Sequence, residues 1–301
     1  GEFGESIEAM LSFSIGVIYS QWVRDGLNRI LQQCDEAMYF VKKNGKGSYI
    51  VYDRIKGHVE KQKAIKDRAL LAMEREEMQI LLRPVIYLQT SEVYAAEVVL
   101  HWNFPGLGVL TEAEFMPVFV QYGIVAQVDA FVFEQVCLWK NQWKGTALEH
   151  LDVYMKISGL YIMQKEGIRN LRRCLEKYQV SPQEIKLCIE ENDFLENKDR
   201  LHFAVESLIY IGFGVAINNF GSASSLTVLQ DIPSQILKLD AKLTVAEGQN
   251  GTAPHILCNV ISLGRDLHRY IVAQEIRDAG QVEMLANYGA QFGTGDFYGD
   301  A

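Results

Sequence analysis

The sequence has no apolar stretch approaching the roughly 18 residues of a membrane span, so no transmembrane segment is expected in its 301 residues. It opens Gly1-Glu2-Phe3-Gly4, with neither an initiator methionine nor the charged-then-apolar pattern of a signal peptide. A trimmed, non-secreted, cytoplasmic chain is expected. The five cysteines (Cys34, Cys137, Cys174, Cys188 and Cys258) are scattered and form no CxxC pair, which reads as reduced thiols rather than a disulfide framework. The six histidines show neither HxH nor HExxH spacing, so a histidine-rich zinc site has no support. Positive charge is in deficit, 29 Lys and Arg against 38 Asp and Glu, for a net charge of −9. That argues against a broad nucleic-acid surface. A dinucleotide-binding glycine loop is also missing. Gly289, Gly293, Gly295 and Gly299 cluster after a helical pattern, whereas such a loop follows a strand and opens a helix.

What is present is a globular composition, 49% hydrophobic and 22% charged, in a chain long enough to bury a sizeable core. Three zones are legible. Residues 1–53 read as a small unit: a strand-like run over 11–18, a helix over 25–43 with apolar positions at Leu27, Ile30, Leu31, Cys34, Ala37, Met38 and Val41, an Asn44–Gly47 stop, and a strand over 48–52. Fifty-three residues are too few for an independent core, so this zone reads as the end of a domain. Residues 54–78 hold no proline, one glycine and many charges, which predicts a largely solvated linker helix.

Residues 79–301 alternate strands with helices. Strands are predicted at 80–87, 93–100, 152–157, 185–190, 213–218, 235–240, 270–273 and 290–293. Helices are predicted between most of them, among others at 129–141, 163–178, 196–211 and 278–287. Eight such units over about 220 residues predict a parallel α/β domain closed into a (β/α)8 barrel. The alternative is an open doubly wound sheet, which would want the missing glycine fingerprint. Barrel sites lie at the C-terminal ends of strands. Those ends carry Glu97, Lys156, Glu190, Glu191, Asn218, Asn219, Lys238, Asp240 and Gln274. They are either a ring of site residues or simply the places where strands meet water.

Separated segments, in order, carry a family resemblance. Ala96–Pro105 (AEVVLHWNFP) resembles the EALLRWxHP segment of bacterial EAL-type cyclic di-GMP phosphodiesterases. Asn218-Asn219-Phe220-Gly221 with the serines after it resembles their DDFG loop. Pro233–Asp240 resembles PxxxLKID, and Ile271–Arg277 with Gln281 resembles VVAEGVETxxQ. The VNxS and ExTE strands find weaker counterparts in Met155–Ser158 and Cys188–Glu191. Upstream, Ser14–Val17, Cys34–Tyr39 and Lys42–Lys46 resemble the closing half of a GGDEF (diguanylate cyclase) domain. The resemblance implies an EAL-type TIM-like barrel over 79–301, preceded by a truncated α+β GGDEF-type unit over 1–53 that lacks the nucleotide-binding half, and by a linker helix.

An active member of that family is expected to hold two divalent metals about 4 Å apart between anionic oxygens, activating the water that attacks a phosphodiester. By resemblance, Glu97 keeps the EAL glutamate, Glu191 the second ExTE glutamate, and Lys238 and Asp240 the lysine and aspartate of LKID. The VNxS asparagine becomes Lys156, and the first ExTE glutamate becomes Cys188. The DDFG aspartates become Asn218 and Asn219, the VAEG glutamate becomes Gln274, and a late QGY pair becomes Thr294 and Asp296. Four carboxylates are lost and one cation is gained. A protonated lysine offers no lone pair to a metal, so no metal and no cofactor are expected. Lys156 and Lys238 are expected to face Glu97 and Glu191, with Lys156 as an internal cation in a metal's place.

The reading that follows is a catalytically inactive EAL-type module that regulates or binds an unidentified protein partner, dimerising as the family often does. A second reading is a metal-independent receptor with weak affinity for cyclic di-GMP. By resemblance its contacts would be Arg83 and His101, where the family carries a glutamine and an arginine, together with Glu97. Residual phosphodiesterase activity is the third.

Overall fold

A computed structural model describes residues 12–19, 26–222, 226–244 and 253–299. Leu11 of the expected first strand, Asp25 of the expected first helix, and Ser224 and Ser225 after the Asn218–Gly221 loop lie outside them. The chain divides into two compact units, Gly1–Arg68 and Ala69–Ala301.

In the first unit, β1 (Ile15–Val17) leads to α1 (Leu27–Lys43) and then to β2 (Tyr49–Val51), which pairs with β1 in parallel. Parallel neighbours need a long crossover, and α1 lies within it. A Cβ on Gly16 would stand 2.0 Å from the Cys34 carbonyl oxygen, so only glycine lets the strand lie this close to the helix. Ala37, Tyr52 and Ile55 form a small apolar cluster with Phe40, Ile50 and Val59 against it. The helix stops at Asn44, whose N–H donates to the Phe40 and Val41 carbonyls, at the expected turn. Helix α2 (Lys56–Glu74) fills the stretch read as a linker helix, and the division between the two units falls within it.

The second unit opens with β3 (Met78–Tyr87), β4 (Val93–Phe104) and β5 (Gly108–Thr111), then α3 (Glu112–Gln121) and α4 (Val125–Gln142). Next come β6 (Asp152–Lys156), α5 (Gly159–Ile162), α6 (Lys165–Tyr178), β7 (Ile185–Glu190), α7 (Glu191–Glu196) and α8 (Lys198–Ile211). The rest is β8 (Gly214–Phe220), α9 (Thr227–Asp231), β9 (Ile236–Leu239), α10 (Ala241–Thr244), α11 (Ala253–Asp266), β10 (Tyr270–Ala273), α12 (Ala279–Tyr288) and β11 (Phe292–Gly293). The sheet runs β3-β11-β10-β9-β8-β7-β6-β4-β5, and β3 also pairs with β4. Eight strands therefore close into a barrel, and β5 hangs from β4 as an outer hairpin.

One strand departs from the all-parallel expectation. β3 runs antiparallel to both β4 and β11. Only residues 88–92 separate β3 from β4, too few for a crossover, so the two must form a hairpin. Pro84 is tolerated inside β3 because β11 pairs only with Tyr87 and Ile86. One edge of the strand at position 84 therefore needs no N–H donor from it.

Each of the eight barrel strands sends one side chain into a single buried cluster: Val85, Ala95, Tyr154, Cys188, Ala216, Ile236, Val272 and Phe292. This is the interior apolar layer of a filled barrel. Because side chains alternate along a strand, the next inward residue lies two positions further toward the opposite end of the barrel.

Candidate functional site

That step of two positions builds the site. From the apolar layer it reaches Arg83 on β3, Glu97 on β4, Lys156 on β6, Glu190 on β7, Asn218 on β8 and Lys238 on β9, then Gln274 and Thr294 just past β10 and β11. Every strand contributes a polar group, so a polar layer lies directly above the apolar one. Arg83, Glu97, His101, Glu112, Lys156, Gln274, Glu275 and Thr294 are among the residues lining a cavity of about 260 Å3 there.

At its floor, the fully buried ammonium of Lys238 donates to Glu97 Oε1, and the Glu97 side chain is only 7% exposed. Burial opposes charge on both groups. The opposite charges outweigh it, holding the Glu97 carboxyl below its usual range and raising Lys238 above its own.

Lys156 takes a different partner from the one the sequence suggested. Its Nζ donates to Glu112 Oε2 at 2.6 Å, while Glu112 Oε1 accepts the Leu100 N–H at 2.8 Å. Burial again works against the charge, but Glu112, with Glu97 and Glu190 behind it, raises the pKa of Lys156. Lys238, not Lys156, supplies the direct cation for Glu97. Lys156 stands at the rim, 44% exposed, and turns to the first residue of α3. A capping box between Thr111 and Glu114 fixes the start of that helix. Sequence reasoning missed Glu112, whose one signal was its place directly after that capping threonine.

The strand-end carboxylate of Glu190 is gripped by two amides. Asn218 Nδ2 donates to Oε1 at 2.6 Å, and Asn219 Nδ2 donates to Oε2 at 2.9 Å. Gln274 Nε2 in turn donates to Asn219 Oδ1 and to the Leu239 carbonyl, both at 3.0 Å. Asn219 adopts φ of +52°, a left-handed conformation that asparagine tolerates better than most residues. The three amides thus form one connected clamp on a single carboxylate.

Of the remaining candidates, Glu191, Asp240 and Cys188 lie outside the cavity lining. Glu191 is fully buried at the start of α7 and accepts the Gly221 N–H at 3.0 Å and the Ser222 hydroxyl at 3.4 Å. It ties down the turn after β8. Asp240 accepts the Lys242 N–H at 2.7 Å and secures the start of α10. Cys188 belongs to the apolar layer, and burial pushes its thiol up to about 12, which keeps it protonated and a poor ligand. Arg83 and His101 both line the cavity. Arg83 reaches Glu275 at 3.6 Å and Asp296 at 3.9 Å, and its buried Nε finds no hydrogen-bond partner among the described residues. Thr294 is also buried, and its hydroxyl likewise has no partner among them.

This donor set does not fit a pair of divalent cations. Mg²⁺ and similar hard ions want several anionic oxygens. Here Glu97 Oε1 is engaged by an ammonium and Glu190 by two amides, the buried Asn218 Oδ1 is open but uncharged, and one position holds a protonated thiol. Among the described residues no group of three or more His, Cys, Asp or Glu is placed to hold a metal. No helix among them is long and apolar enough to cross a membrane.

A family model described as "EAL domain" matches residues 66–301. The bifunctional diguanylate cyclase/cyclic di-GMP phosphodiesterase MucR of Pseudomonas aeruginosa is 24% identical over 286 residues, covering 94% of this chain and 42% of that protein. The probable cyclic di-GMP phosphodiesterase PdeB of Escherichia coli is 25% identical over 233 residues, 76% of this chain and 44% of that protein. The chain thus spans less than half the length of either curated relative. Among solved structures, the PaMucR phosphodiesterase in complex with c-di-GMP superposes with a TM-score of 0.74 at 23% identity, covering 78% of this chain and 96% of that one. The FimX EAL domain of Pseudomonas aeruginosa bound to c-di-GMP gives 0.69 at 18% identity, with 77% and 94% covered. At these identities the superpositions show the fold.

Proposed function

The chain belongs to the EAL domain family over residues 66–301, and from that premise we propose that its barrel is a non-hydrolysing EAL domain, serving cyclic di-GMP signalling as a regulatory, partner-binding module. The observation that carries this reading is the clamp of Asn218, Asn219 and Gln274 on Glu190. By resemblance these amides stand where an active member has carboxylates, and an amide brings a metal no charge. The carboxylates that survive are committed elsewhere: Glu97 to Lys238, Glu191 to the turn after β8, and Asp240 to α10. The first unit is, in this reading, the closing half of a GGDEF-type domain. The match of MucR over 94% of the chain supports it. Self-association through the face bearing the turn after β8 is part of the same proposal.

A receptor for cyclic di-GMP is the second reading, favoured by one observation. The Arg83 guanidinium faces the cavity with loose carboxylate contacts and an unfilled Nε donor, which suits a phosphate. Against it stands the cavity volume, about 260 Å3, below the roughly 300–1,000 Å3 of most ligand pockets.

A calorimetric titration of cyclic di-GMP with Mn²⁺ present, followed by chromatography of the mixture, tests both. The expected result is no linear pGpG above background. Metal-dependent turnover that disappears in Glu97→Ala would overturn the proposal. Micromolar binding without product, weakened in Arg83→Ala, would move the second reading to first place.

A further inference from the structure

On the outside of the barrel, helices α6 and α8 border a groove of about 630 Å3 that shares no lining residue with the polar cavity. α6 buries Gly167, Leu171 and Leu175 and turns Lys165, Arg169 and Arg172 outward. Spacings of four and three residues align those cations on one face. α8 buries Leu201, Ala204, Val205 and Leu208, yet it presents Phe203 and Tyr210 to solvent at 68% and 88% exposure. The solvent face of such a helix is normally polar.

The charge of the groove is the reverse of the chain's. Three cations line it against one carboxylate, Glu206, which His202 Nε2 approaches at 3.3 Å. The whole chain is nine charges negative. Arg169 pairs with Glu166, but Lys165 and Arg172 make no ion pair among the described residues. Phe203 and Tyr210 are seven residues apart, about 10 Å along the axis. That matches the spacing of side chains at i and i+7 on a second helix, with Ile168 and Ile211 also in the groove lining.

We infer that this groove docks an acidic, amphipathic helix of a partner protein, apolar residues at i and i+7 meeting Phe203 and Tyr210 and flanking carboxylates meeting Lys165, Arg169 and Arg172. Helix-in-groove recognition works through such spaced anchors. The inference rests on the partner-binding part of the proposed function and supplies its surface. It does not depend on whether the barrel hydrolyses cyclic di-GMP, so turnover would overturn that reading and leave this one standing.

The test is fluorescence anisotropy of the full chain with a labelled, stapled peptide of about four turns, carrying leucines at i, i+3 and i+7 and glutamates on both flanks. A counterpart with lysine for glutamate is the control. The acidic peptide is expected to bind and the basic one not, with affinity falling as salt rises. Phe203→Ser with Tyr210→Ser, and separately Arg169→Glu with Arg172→Glu, should each weaken binding by about tenfold or more. Thermal melts should be unchanged, because all four side chains are exposed. Equal binding of both peptides, no binding of the acidic one, or indifference to both double variants overturns the inference. Sedimentation with phosphatidylserine vesicles in place of peptide binding would assign the groove to a membrane surface, and self-association lost in the aromatic variant would assign it to a second copy. Either result also overturns the inference.

Discussion

Lys238→Ala is expected to cost about 3–5 kcal/mol of folding stability at neutral pH, the usual effect of stranding a buried charge. Lys238 is fully buried and Glu97 nearly so. The pH dependence gives the sign. The folded pKa of Glu97 lies below its ordinary 4.5, so its contribution is present above pH 4.5 and is lost as the pH falls through the folded value. The folded pKa of Lys238 lies above its ordinary 10.5, so its contribution is present below pH 10.5 and is lost as the pH rises through the folded value. Between those limits the pair is intact. In Lys238→Ala the largest opposing charge is gone and only Lys156 and Arg83 still work against burial, so the Glu97 pKa rises and the deficit should shrink as the pH falls toward 5 and Glu97 takes up a proton. Adding Glu97→Leu to Lys238→Met should recover most of the loss, since a well-packed apolar pair can replace a buried ion pair. Urea unfolding at pH 7 and pH 5 measures all of this. A loss under about 1 kcal/mol, or one indifferent to pH, would mean that the barrel floor can hydrate.

Replacing Asn218 and Asn219 together by aspartate should be the second large effect. Each amide now donates to Glu190, and a hydrogen bond to a charged group contributes about 1.5–3 kcal/mol. The double variant removes both donors and places two more carboxylates against the first. A loss of about 3 kcal/mol or more is expected at pH 7 without metal. The loss should ease on acidification and on addition of Mn²⁺, because three convergent carboxylates now suit a hard cation. The unmodified protein should show no Mn²⁺-dependent stabilisation. If the variant melts like the parent and ignores Mn²⁺, the amides are not what balances Glu190.

Most of the barrel was legible because its strands carry strong apolar runs and its site residues follow at a fixed step of two. Glu97, Lys156, Asn218, Lys238 and Gln274 could be read off strand ends for that reason. The antiparallel β3 and the short β5 hairpin were not read, since pairing direction depends on the length of the 88–92 connection and not on apolar pattern. The pairing of charges was harder still. A sequence shows Asn at 218 and 219, where the resemblance implies Asp, but not that Glu190, one strand away, becomes the group those amides satisfy. Nor does it show that Lys156, two residues above Tyr154 in the apolar layer, reaches outward to α3 instead of inward to Glu97. Side-chain reach across strands is set by the closed barrel, and no local pattern encodes it.

The seam of the barrel has a consequence for how it assembles. Met78–Ile86 pair with β4 in a local hairpin, whereas only Phe292 and Gly293 join β11 to β3. The last closure therefore links segments about two hundred residues apart through the shortest strand of the sheet. Ordering so long a loop is entropically slow and is rewarded late. A Cβ on Gly293 would come within 2.4 Å of Ile276 Cδ1 and 2.7 Å of Leu88 Cδ2, so a larger residue there must push those side-chain ends aside. The barrel is thus held shut like a clasp. Its hairpin end can form early, and its final stitch must wait until the whole chain is in place.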